Sequence, residues 1–288
     1  MVLAVLAAAC GGGDDPAPST GSRSSTTTAS TVPAEDDLKL NQIQAIGTHN
    51  SFHVAADPAE QDLLAALSPA DVVERDYTHA PLTEQLEDQK VRVLELDVYV
   101  DTAGGRYDDP VFRRQAGLGP YDEPAMSEPG IKVFHEQDID YHSRCVTLEL
   151  CLTEIRTWSD EHPEHVPLAI NIQFRDGPIV FAVPDQAIPE KWDTAQLDAL
   201  DAEITDVFPR ERIITPDDVR GGLPTLAAAV EAGQWPTLGE SRGKVIFLMI
   251  NPEPYRTLYL QGHDGLRGRV LFTNAAPGQP DAAYFGID

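Results

Sequence analysis

VRVLELDVYV, residues 91–100, reads as a strand with two unlike faces. Alternate residues of a strand share a face. Val91, Val93, Glu95, Asp97 and Tyr99 therefore lie on one side, and Arg92, Leu94, Leu96, Val98 and Val100 on the other. The first face carries two carboxylates among valines, toward the C-terminal end of the strand. A solvent-facing strand would more often be polar throughout that face. Buried carboxylates need a partner, and a metal ion is the obvious one. Taken alone, an E-x-D on a strand is also what an edge-strand salt-bridge pair looks like.

Working outward, strand-like runs appear at 42–48, 131–136, 167–174, 244–250 and 269–273, with a weaker one at 281–287. Helix-like segments appear near 59–67, 83–90, 148–161, 195–207 and 223–232. Strands alternating with helices indicate βαβ units and a parallel sheet. Residues 38–288 have about the length of a (β/α)₈ barrel, roughly 250 residues. Seven strand candidates fall one short of closure. The expectation is an α/β chain folded as a TIM-type (β/α)₈ barrel, incomplete at its C-terminal end.

Two further strands end in chemistry. His49 closes the parity set Ile43, Ala45, Gly47, and His135 closes the set Ile131, Val133. A lone histidine at such a place is usually structural. Two of them, with two carboxylates, at the same end of three successive strands fit phosphodiester cleavage: a base, an acid and a charge clamp. Barrel enzymes keep their active sites at that end.

The chain has 288 residues, with 47 Asp and Glu against 21 Lys and Arg, a formal net charge of −26. That balance argues against a nucleic-acid surface, which needs a basic stripe, and against polybasic docking on anionic lipid. No apolar run approaches the roughly 18 residues of a transmembrane helix. Residues 1–10, MVLAVLAAAC, form an apolar run closing on Cys10. They resemble a bacterial lipoprotein signal in which Cys10 is lipidated, although no Lys or Arg precedes Arg23 as a signal's basic region would require. Residues 11–37 are rich in Gly, Ser, Thr and Pro and read as a flexible tether to a domain at 38–288. The expected location is outside the cytoplasm, lipid-anchored or secreted. Cys145 and Cys151 are then an even pair. Thr147 is a plausible N-cap, which leaves Cys145 in the lead-in to a helix and within reach of Cys151. Two unpaired thiols are the alternative.

GTHNSFH (47–53), ELDVY (95–99) and VFHEQDID (133–140) together resemble the catalytic barrel of phosphoinositide-specific phospholipase C, most nearly its bacterial calcium-dependent group. Supporting stretches are CLTEIRTWSDEHPEHVPLAI (151–170), TPDDVRGG (215–222) and RGKVIFLMI (242–250). The resemblance implies that His49 and His135 are the catalytic pair, with Glu95 a candidate base. It implies that Asn50, Glu95 and Asp97 hold Ca²⁺. It further implies a monomer that takes phosphatidylinositol or a related lipid at a membrane surface and makes diacylglycerol and a cyclic inositol phosphate.

Three departures qualify it. The fourth-strand carboxylate of the family falls on Gln173, an amide, so the site loses a negative charge and should bind calcium more weakly. Arg175 has the same parity as Gln173 and reads as a surface or salt-bridging residue, with an internal cation as the alternative. The fifth strand carries only Lys244 where relatives that take phosphorylated rings have more lysines, which favours phosphatidylinositol itself. The resemblance also runs out at AYFGID, where relatives continue to a closing segment. Two other readings stay open. Glycerophosphodiester phosphodiesterases share the order of motifs, but their first is His-Arg-Gly where this chain has His49-Asn50-Ser51. A surface lipoprotein that keeps the barrel only for binding is the other. His53, His79 and His142 are left structural or unassigned.

Overall fold

The computed structural model describes residues 34–181 and 183–286. Cys10 and residues 11–33 of the tether lie outside them. The body is one compact unit beginning at Ala34. Its strands are β1 (Val93–Asp101), β2 (Gly130–Val133), β3 (Leu168–Phe174), β4 (Ile213–Ile214), β5 (Val245–Met249) and β6 (Leu271–Phe272). Its helices are α1 (Pro58–Leu67), α2 (Pro69–Arg75), α3 (Leu82–Glu87), α4 (Val111–Gln115), α5 (Leu148–Glu161), α6 (Thr194–Val207), α7 (Pro216–Arg220), α8 (Leu226–Glu231), α9 (Leu238–Ser241) and α10 (Tyr255–Leu260). Among the described residues no helix is long and apolar enough to cross a membrane.

β1, β3 and β5 form a parallel spine, with Glu95 beside Asn171 and Asp97 beside Gln173. β4 and β6 share the far edge of β5, and β2 lies on the near edge of β1. The alternation seen in the sequence is physical. Leu94, Leu96, Val98 and Val100 of β1, and Leu168, Ile170, Ile172 and Phe174 of β3, face out into one apolar core. Leu148, Leu152, Ile155 and Trp158 of α5 and Leu197, Leu200 and Ile204 of α6 fill the same core. Each such buried side chain is worth about 1.5–3 kcal/mol. The opposite parity, with Glu95, Asp97, Asn171 and Gln173, is left for the interior.

Local chemistry sets the ends of the helices. Thr147 caps α5 through the Leu150 amide, and Asp57 caps α1 with Glu60 reaching back to close a capping box. Cys145, just before α5, is joined by a disulfide to Cys151 in its first turns. Glu35–Asp37, read from the sequence as part of the tether, form a 3₁₀ turn tied down by Arg242, which pairs with Glu35 at 3.1 Å and Asp36 at 2.7 Å.

The sheet departs from the expected arrangement in three places. First, β2 is antiparallel to β1, with Val98 opposite Val133 and Asp101 opposite Gly130. A parallel return needs a crossover helix laid across the sheet. The only helix between these strands, the five-residue α4, packs instead in a separate apolar cluster through Val111 and Phe112. Second, the run at 42–48 is a 3₁₀ turn (Leu40–Gln42) followed by a single parallel bridge, Gly47 to Val93. Among the described residues it has no second neighbour to extend the ladder, so the sheet does not close. Third, the weak C-terminal run is reduced to one bridge, Asn274 to Tyr284.

Candidate active site

The first motif is held against β1 by its own backbone and small polar side chains. A Cβ on Gly47 would sit 2.7 Å from the Val93 Cβ, so only glycine allows this approach. The Thr48 amide donates to the Val93 carbonyl and the Ser51 amide to that of Glu95, while the Glu95 amide donates to Ser51 Oγ. Gln85 of α3 locks the turn from behind, accepting from Thr48 Oγ1 and donating to the Ser51 carbonyl. Asn50 takes a left-handed conformation (φ 47°), which asparagine tolerates better than most residues. The turn sends adjacent side chains in opposite senses. His49 is 69 % exposed, with Nε2 3.5 Å from Glu95 Oε1. Asn50 is buried and donates to the Tyr77 hydroxyl at 3.2 Å. His79 donates to the His49 carbonyl.

The second histidine is fixed by a carboxylate that the sequence reading did not single out. Asp140 is buried and accepts from His135 Nδ1 at 2.7 Å and from His53 Nε2 at 2.9 Å. The Arg75 guanidinium, at the end of α2, stands 3.6 Å away and pairs with Glu136 at 2.7 Å. Burial would raise the Asp140 carboxyl, but the hydrogen bonds from the two imidazoles outweigh it and hold the group well below the usual carboxylate range. Both ring nitrogens of His53 face acceptors, the other being the Tyr77 carbonyl. Tyr99 of β1 donates to the His135 carbonyl at 3.0 Å. His135 is thus held from below by β1 and through Nδ1 by Asp140, an arrangement that fixes an imidazole in one orientation. It arrives there because β2 runs back along β1, not because it ends a parallel strand.

Between these residues the sheet's inner parity lines a polar cavity of ≈ 570 Å³, bordered by His49, Glu95, Asn171, Gln173, Arg175 and Asn251, among others. Asp97 is fully buried below it and accepts from Arg175 through Nε at 2.8 Å and Nη2 at 2.7 Å, both on Oδ2. Burial raises the Asp97 carboxyl, and the charges of Arg175 and His135 pull against that rise. Tyr77 is pushed up by burial and by the carboxylates of Asp140, Asp97 and Glu95, so its ring faces all three.

Four buried oxygens here accept no hydrogen bond within the described residues: Asn50 Oδ1, Asp97 Oδ1, Asn171 Oδ1 and Gln173 Oε1. Buried acceptors are seldom left this way. An oxygen-seeking cation suits such a set, because Ca²⁺ takes carboxylate and amide oxygens alike. No three His, Cys, Asp or Glu side chains among the described residues are arranged to hold a metal. The capacity for a cation therefore rests on amides beside two carboxylates, and the residues fit calcium by donor type while offering it little charge.

The structure groups His49, Glu95, Gln173 and Arg175 on one cavity, and sets Asn50, Asp97 and His135 around it. His135 does not line the cavity wall itself. Asp140, Tyr77 and Asn171 were missed. Asn171 had a readable signal, since it shares parity with Gln173 in PLAINIQF. Asp140 lay inside a quoted motif, but nothing in its spacing says that one carboxylate would serve two histidines. His142, by contrast, belongs to a separate cluster, paired with Glu60 at 2.7 Å.

Comparison with known proteins agrees with this geometry. No curated protein matches this chain. Two crystal structures of a calcium-dependent phosphoinositol-specific phospholipase C from Pseudomonas sp. superpose with TM-scores of 0.53 (apo form) and 0.54 (myo-inositol complex), each at 19 % identity. Each comparison spans 84 % of this chain and 68 % of the other. The corresponding enzyme of Streptomyces antibioticus is 20 % identical over 82 % of this chain and 67 % of its own, with a TM-score of 0.48. At these identities the Pseudomonas likeness shows the fold, a TIM-type α/β barrel, here left unclosed. Residues 38–288 match the family described as phosphoinositide phospholipase C, Ca²⁺-dependent, and the chain belongs to that family.

Proposed function

We propose that this protein cleaves the phosphodiester of phosphatidylinositol-type lipid, releasing diacylglycerol and a cyclic inositol phosphate. The observation that carries the reading is the Asp140–His135 pair. A buried carboxylate holds Nδ1, which leaves Nε2 of that imidazole to hand a proton to a leaving group. His49, beside Glu95, is the complementary group: one of the two takes the proton of the inositol 2-hydroxyl. The 2-oxygen then bonds to phosphorus, the bond to the diacylglycerol oxygen breaks, and His135 protonates that oxygen. Water opens the cyclic product in a second step by the same pair acting in reverse. The amide-lined cavity suits a neutral, hydroxyl-rich ring, and its one basic side chain, Arg175, is already committed to Asp97.

Calcium, with Asn50, Glu95, Asp97 and Gln173 as its holders, would supply positive charge for the phosphate when bound. The disulfide supports an oxidising location outside the cytoplasm, in keeping with a lipid-anchored or secreted protein.

The test is direct. The purified protein is incubated with phosphatidylinositol vesicles and the products are identified by mass spectrometry, with glycerophosphoinositol as a second substrate. Diacylglycerol should appear, and His135→Ala should lower kcat by about 10²–10⁴-fold. Unchanged turnover in that variant, or a folded wild type that cleaves neither substrate, would sink the reading.

A further inference from the structure

We propose that Arg175 is a resident counter-cation of the calcium site: it shares Asp97 with the metal, and calcium can bind only as the guanidinium gives up part of its hold. This rests on the proposed calcium-assisted lipid cleavage and concerns what sets the metal's affinity.

The argument begins with the strand. Arg175 follows β3 and keeps its ladder, its amide donating to the Val98 carbonyl. It therefore has the parity of Asn171 and Gln173 and faces inward. Its partner Asp97 sits on β1 opposite Gln173. A carboxylate with no exposure needs a counter-charge to stay ionised. Arg175 supplies one, with two nitrogens on a single oxygen, Oδ2. The other oxygen, Oδ1, is left without a hydrogen bond, as are the neighbouring amide oxygens of Asn50, Asn171 and Gln173. The guanidinium thus satisfies the charge of the site but not its acceptors.

Charge sets the balance between the two cations. Glu95 and Asp97 against Arg175 leave one net negative charge. A dication would turn this into one net positive charge in a largely buried place. Without Arg175 the same dication would meet two carboxylates and be balanced. Calcium affinity depends on the charge of the ligand set, so the arginine weakens binding by direct repulsion and by competing for Asp97. The guanidinium side chain is 31 % exposed, which gives it room to swing toward the cavity without unfolding the strand.

The experiment is calcium titration by isothermal calorimetry, with the calcium-dependent rise in Tm as a second readout. Neither depends on turnover. Arg175→Met should bind Ca²⁺ about tenfold or more tightly than the wild type. Arg175→Lys, which keeps the charge, should stay within about threefold of it. Equal or weaker binding by Arg175→Met overturns the proposal. If that variant fails to fold, the wild type is followed by ¹⁵N NMR at the Arg175 Nε–H, identified by its loss in Arg175→Lys. Saturating calcium should shift that resonance and speed its exchange with water, and an unmoved resonance overturns the proposal. The two readings fail separately. A lipid-cleaving enzyme with no calcium gain in Arg175→Met refutes only this inference. A folded protein that shows the gain but cleaves no lipid refutes only the proposed function.

Discussion

Replacing Asp140 with asparagine tests the site at its hub. The side chain keeps its shape but loses its charge and one of its two acceptor oxygens. In the native protein those oxygens take hydrogen bonds from His135 at 2.7 Å and His53 at 2.9 Å. Asparagine can serve one imidazole but presents an N–H₂ to the other. Hydrogen bonds to charged groups are worth about 1.5–3 kcal/mol each. Losing one where the imidazole must become a cation should lower kcat by about 10- to 150-fold. KM should change little, because Asp140 touches no substrate. A pH profile adds an independent readout. The folded protein holds Asp140 below the ordinary carboxylate range, so its contribution to stability is present above the unfolded value of about 3.9 and is lost as pH falls through the lower, folded one. The wild type should therefore lose stability on acidification through that window, and Asp140→Asn should lose less. Kinetics on phosphatidylinositol micelles and denaturant melts between about pH 2 and 6 measure both. A variant with wild-type kcat and an unchanged acid limb would show that Asp140 neither orients His135 nor carries a stabilising charge.

Two further outcomes come from other parts of the molecule. Cys145→Ser opens the six-residue link to Cys151 and should cost about 2 kcal/mol, or about 4–8 °C in Tm. Dithiothreitol should reproduce that loss in the wild type, and no shift in either would refute it. Glu203 on α6 is pushed up to about 7 by burial and by the nearby Glu149 charge. An acid raised in this way stabilises the fold below its unfolded value of about 4.3 and loses that contribution as pH rises through 7. Glu203→Gln should therefore raise Tm at about pH 8 and leave it nearly unchanged at about pH 4, and an equal effect at both would contradict the assignment.

The sequence by itself determined which residues could meet inside the fold. Strand parity is a local property of the backbone, so VRVLELDVYV could be divided into an apolar outer face and an inner face with Glu95 and Asp97 before any partner was known. The same logic put Gln173 and Arg175 on one side of the next spine strand, and the cap at Thr147 placed α5. What it could not carry was pairing. β2 and Lys244–Ile250 both read as strands, but only the length of α4 and where it packs decide that β2 runs backward. β4 has two residues, too few for any period to show. Asp140 illustrates the same limit in the site. Its partners His53 and His135 come from different segments, and a hydrogen bond between side chains depends on distances that no spacing encodes. The salt bridge from Arg175 to Asp97 is the sharpest case. Parity allowed an inward arginine, and a salt bridge was among the readings, but only the register of β1 against β3 set its guanidinium on the carboxylate that calcium would also claim.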